Sequence, residues 1–160
     1  MQLSYSYNTP MGAAGGIVDL APHFIVAFTN EADTGAMGFG MGVVTGTNAG
    51  YGVKLPTSDS AAADFQGIVT NRRTTELDLE GNLSLRNKCA LGVMRYGLIY
   101  ALLADGATPE YGDAVYMVKS GTDAGKFTDS SSSTIAIKGR FLSGADNGVA
   151  IVELFNQAQS

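Results

Sequence analysis

The sequence predicts a mainly β protein, a small antiparallel β-barrel or β-sandwich with an extended N-terminal arm. Three observations carry that prediction. Glycine supplies 21 of the 160 residues, roughly twice its usual share. Apolar residues recur in short runs separated by Gly-, Asp- and Ser-rich turns, the spacing of sandwiches and barrels. No stretch offers the apolar period of an amphipathic helix of three or more turns. The length fits one domain, read as an arm over residues 1–16 and a single β-rich domain over 17–160.

Taken in order, the arm contains Pro10 and a small-residue run, Gly12-Ala13-Ala14-Gly15-Gly16, with Tyr5 and Tyr7 on one face of an extended stretch. "HFIVAFTN" is rich in β-branched and aromatic residues and reads as a strand. Gly38-Phe39-Gly40-Met41-Gly42 alternates glycine with bulk, which suits a strand whose bare face meets another backbone. "GYGVKL" leads into a polar loop, and "FQGIVTN" reads as the next strand. "TTELDLEGNLSLRN" sets Leu77, Leu79, Leu83 and Leu85 against Glu76, Asp78, Glu80, Ser84 and Arg86 with a period of two. "ALGVMRYGLIYALL" is read as strand–turn–strand, because its two glycines, Val93 and Tyr96 weaken a helix. "AVYMVK", "KFT", "STIAIKGRFLS" and "GVAIVELFN" complete the strands. "DSSSS" at 129–133 reads as a hairpin tip, and Asn147-Gly148 as a tight turn.

The net charge of −5 and ten scattered basic residues argue against a nucleic-acid partner, since a polyanion needs clustered Lys and Arg. Arg72-Arg73 is the densest basic cluster, and Glu76, Asp78 and Glu80 flank it. No polybasic membrane role is expected. The N-terminus lacks a basic n-region, and the best hydrophobic window is broken by Asp19 and Pro22, so cytoplasmic synthesis is expected. The single cysteine, Cys89, allows no intrachain disulfide and reads as a small buried apolar residue.

Enzyme chemistry finds few parts. Gly121-Thr122-Asp123-Ala124-Gly125-Lys126-Phe127 resembles a phosphate loop but is one residue short, and Phe127 replaces the Mg²⁺-binding hydroxyl. It lies between strand-like runs, so a hairpin is the better account. The glycines at 35–42 never give G-x-G-x-x-G. His23 stands alone in an apolar run, and no G-x-S-x-G exists. Glu76, Asp78 and Glu80 share one face about 7 Å apart, a spacing open to Ca²⁺ or acid-pair chemistry but usual for a solvated strand. With Arg72 and Arg73 they also suit complementary charge strips between subunits. No catalytic residue, metal or cofactor is expected.

One resemblance then stands out. "GVVTGTNAGYGVKLPTSDSAAADFQGIV", "YGDAVYMV", "GKFT" and the ending "AIKGRFLSG…GVAIVEL" are together similar to the capsid cement, or decoration, proteins of tailed bacteriophages. The similarity runs from about residue 12 to the C-terminus and is one of layout rather than of mechanistic motifs. It implies a small β-rich subunit on the outside of the head, binding the major capsid protein and itself, with a trimer implied by the family and no catalytic residues to carry over. Tyr5, Tyr7, Arg72, Arg73, Glu76, Asp78 and Glu80 are the candidate capsid or subunit contacts. The alternatives are a carbohydrate- or fibre-associated β-module and a small hydrolase using the acidic strip.

Overall fold

The computed structural model describes residues 12–71 and 84–156. Among them the chain forms nine strands: β1 Phe24–Asn30, β2 Gly42–Thr45, β3 Gly52–Lys54, β4 Phe65–Val69, β5 Ala90–Leu102, β6 Ala114–Val118, β7 Phe127–Thr128, β8 Thr134–Phe141 and β9 Val149–Leu154. They lie in the order β1-β3-β2-β4-β5-β9-β8-β6-β7, and β1 also pairs with β5. That extra pairing closes β1, β3, β2, β4 and β5 into a five-stranded barrel. The remaining strands extend from the far half of β5, and a parallel bridge from Leu103 to Phe127 brings the last strand back to its end. Of the barrel and sandwich expected, the barrel is what forms.

Two cores explain why these residues take these strands. Phe28, Val43, Val53, Val69, Leu91 and Val93 fill the barrel. Their strand neighbours Val44, Ile68 and Met94 point the other way, into a second core with Ile99, Val115, Met117, Phe127, Phe141 and Val152. β2, β4 and the first half of β5 thus pack on both faces, which is why the runs "VV" and "IV" carry no polar alternation.

β5 joins the two halves, and it corrects the strand–turn–strand reading of 90–103. Ile25 pairs with Met94 but Phe24 with Tyr96, so Arg95 is an extra residue, a β-bulge. The inserted residue flips the alternation: Val93 and Met94 serve different cores, yet after the bulge Ile99 and Ala101 share the core of Met94. Arg95 Nη2 donates to Gln66 Oε1 at 2.8 Å, and Gln66 Nε2 donates to Thr45 Oγ1 at 2.7 Å, which ties the bulge to β4 and β2. What the sequence displays as a broken phase is one continuous strand.

Two more expectations are corrected. Residues 38–41 are not strand, and β2 begins at Gly42. Gly40 is wedged instead between backbones, donating to Val69 O and accepting from Leu102 N, both at 2.9 Å. Residues 129–133 are not a hairpin tip, since β7 and β8 lie on opposite sides of β6 and both run antiparallel to it. The link therefore carries the chain back past β6. Asn147-Gly148 does turn β8 into β9, with φ of 50° and 76°.

Upstream of β1, Gly15 N and Gly16 O bond to Tyr100, Val18 N bonds to Leu98 O, and Ile17 bridges Ile99. Residues 15–18 thus lie antiparallel to the second half of β5.

Candidate interaction surface

Tyr5, Tyr7, Arg72, Arg73, Glu76, Asp78 and Glu80 all lie outside the described residues. The structure does place the other chemistry-bearing groups. The phosphate-loop lookalike is the β6–β7 hairpin, where Lys126 Nζ meets Asp123 Oδ1 at 2.7 Å. That lysine bond, with the amide of Asp105, holds the Asp123 carboxyl below its ordinary pKa. His23 is exposed, its Nδ1 3.0 Å from Ala21 O. Cys89 is half-buried against the barrel core. Among the described residues no three His, Cys, Asp or Glu side chains are grouped to hold a metal. No described helix is long and apolar enough to cross a membrane.

The conspicuous surface feature is apolar and sits at the waist, where β5 leaves the barrel. Phe24 on β1 faces Tyr96 on β5 as a direct pair, and they are 55% and 42% exposed. Phe155 directly follows Leu154, the partner of Gly97, and is 45% exposed. Three aromatic residues, two on paired strands and one just past β9, are thus about half exposed. Leu20, in the connection from residues 15–18 to β1, is 99% exposed.

Local geometry fixes this presentation. Asp19 Oδ1 accepts the N–H of Ala21 at 2.7 Å, an Asx-turn that throws Leu20 outward, and Pro22 stiffens the exit. The connection then crosses β5 at Gly97, whose φ is +127°. A Cβ there would stand 2.7 Å from His23 Cβ and 3.2 Å from His23 Cα, so the crossing requires glycine. Full burial of a large apolar side chain such as Leu20 is worth about 1.5–3 kcal/mol, and that of the half-exposed aromatics has been only partly gained. Sequence reasoning passed over the waist because Phe24 reads as one more residue of an apolar strand. The only local signal was a leucine between an Asx-turn aspartate and a proline.

A further exposed aromatic, Tyr51, tops the turn between β2 and β3 and is 78% exposed. Glu31 anchors that turn, accepting the N–H of Thr47 at 2.5 Å, the N–H of Asn48 at 3.1 Å and Asn48 Nδ2 at 2.9 Å. These bonds, led by the Asn48 amide, hold the Glu31 carboxyl below its ordinary pKa. Outside the barrel, Arg140 Nε meets Glu153 Oε2 at 2.7 Å across β8 and β9, which raises the Arg140 pKa further.

Comparison with known proteins adds three findings. A family model described as "Structural cement protein (E217 gp24/Pam3 gp6)" matches residues 1–155. No curated protein sequence matches. Among solved structures, a chain from the capsid of Myoviridae phage XM1 superposes with a TM-score of 0.69 at 20% identity, covering 96% of each chain, a likeness of fold.

Proposed function

Because this chain belongs to the structural cement protein family of phage heads, we propose that the aromatic waist is the surface by which it grips its neighbours in the shell. Family membership makes the chain a structural component of the virion that binds capsid proteins; the comparisons do not favour a carbohydrate- or fibre-associated module. The finer reading is ours. The subunit sits on the outer surface of the head, bridges adjacent major capsid proteins, and associates with itself, as a trimer by analogy with the family. It acts without catalysis, nucleic acid or membrane, and is made in the host cytoplasm. Tyr5, Tyr7, Arg72, Arg73, Glu76, Asp78 and Glu80 are proposed as further capsid or subunit contacts.

The observation that carries this reading is Leu20, a large apolar side chain held 99% exposed in the connection that leads to the exposed Phe24–Tyr96 pair. An oligomer engaging several shell subunits through such patches multiplies modest contacts by effective concentration. Co-sedimentation with heads stripped of this protein tests it. Saturable binding at a symmetry-compatible copy number is expected, and Leu20→Ser with Phe24→Ser should weaken it at least about tenfold, since two buried apolar groups are lost. Undiminished occupancy by a folded double variant would remove the waist from the interface.

A further inference from the structure

The turn between β8 and β9 brings together the parts of a self-modifying site. Asn147 and Gly148 both lie exposed, and φ is positive at each, as a two-residue type I′ turn requires. Asp146 and Val149 close the turn by exchanging N–H···O bonds of 2.9 and 3.1 Å. Gly148 stands in open space, with no atom beyond its chain neighbours within 4 Å of where a Cβ would be. Its nitrogen therefore brings no side-chain bulk with it on approaching the Asn147 carboxamide. Each of the other asparagines is followed by a larger residue than glycine. Three of them are also held through the side-chain nitrogen, Asn30 to Arg86 O, Asn48 to Glu31 Oε1 and Asn87 to Ala32 O, each at 2.9 Å.

We propose that Asn147 is the chain's site of spontaneous covalent change, converted through a cyclic imide to aspartate and isoaspartate. Solvent base takes the Gly148 amide proton, and the nitrogen attacks Asn147 Cγ. The new N–Cγ bond closes the ring, the Cγ–Nδ2 bond breaks, and Nδ2 leaves as ammonia with a proton from water. A second water then opens the imide. Its addition at Cγ breaks the new bond and gives aspartate. Addition at the main-chain carbonyl carbon of Asn147 breaks the original peptide bond and gives isoaspartate, with the chain now running through Cβ and Cγ. Water is the only co-reactant, and either product adds one negative charge to the net −5. Ring closure takes the pair out of the type I′ geometry, so it proceeds through local opening, which is easiest at an exposed tip. The isoaspartate places one more main-chain carbon between Asp146 and Val149 than their pairing accommodates. That turn also pins the end of β5, since Leu103 N–H donates to Gly148 O at 2.8 Å. Conversion to isoaspartate thus loosens the junction of β5 with the β8–β9 hairpin. The chemistry belongs to the chain alone and stands apart from shell binding.

Peptide mapping by mass spectrometry tests it on the full folded chain, aged in warm, mildly alkaline buffer. Asn147 is expected to convert faster than any other asparagine, and at least about tenfold faster than Asn30, which is buried. Asn147→Gly keeps a turn that accepts positive φ but lacks the carboxamide, so on ageing it should not gain the acidic species that the parent forms. Amide exchange by NMR then reads the consequence. In the separated isoaspartate form the Leu103 amide is expected to exchange at least about tenfold faster than in the fresh chain, while aged Asn147→Gly matches its own fresh sample. Absence of conversion at Asn147, or faster conversion at another asparagine, overturns the site. Unchanged Leu103 exchange in the isoaspartate form overturns its coupling to β5.

Discussion

Protonating Glu31 weakens the acceptor that holds Thr47 and Asn48, so the turn bearing Tyr51 is sensitive to acid. The Glu31 pKa is depressed in the folded chain, and its stabilisation is therefore present above the ordinary carboxylate value and is lost as pH falls through the lower folded value. Glu31→Gln is expected to lower the urea midpoint at pH 7, with the gap to the parent narrowing below about pH 4. A gap independent of pH would contradict this. Gly97 makes a different kind of demand, steric rather than electrostatic. Gly97→Ala sets a Cβ against His23 at a φ of +127° and is expected to cost about 2–4 kcal/mol. A loss below about 1 kcal/mol in urea unfolding would mean that the crossing connection shifts aside.

At the scale of elements, β5 is where local reading and tertiary structure part. The four apolar runs after residue 113 all proved to be strands, because each is short, β-branched and bounded by turn residues that act locally. Phe39 and Met41 look like strand residues too, but the contacts that bend their segment come from Val69 and Leu102, far along the chain. The bulge at Arg95 is likewise invisible in one strand alone, since a bulge is a mismatch between two. The waist escaped for the same reason: exposure of Phe24, Tyr96 and Phe155 depends on which strands become neighbours. Arg95→Ala removes the bridge to Gln66 and is expected to cost about 1–2 kcal/mol. Unchanged stability in urea would show that the bulge holds itself.

Across the whole molecule, the second core draws Val44, Phe65, Ile68 and Met94 from the barrel and Val115, Phe127 and Phe141 from the other strands. The barrel has an interior of its own, but parting the halves would expose the shared core on both, so the two are expected to unfold in one transition. Phe127→Ala should lower stability by about 3–5 kcal/mol and shift the whole melting curve. Separate barrel and sheet transitions by near-UV circular dichroism and calorimetry would refute the coupling. The 13-residue β5 runs through both halves, hydrogen-bonded over much of its length on either side. A pull along its axis loads those bonds side by side, in shear, instead of peeling them one after another. The waist is mounted on this strand, so tension entering at Tyr96 passes straight into the longest described strand, as a rivet's shank carries what its head receives.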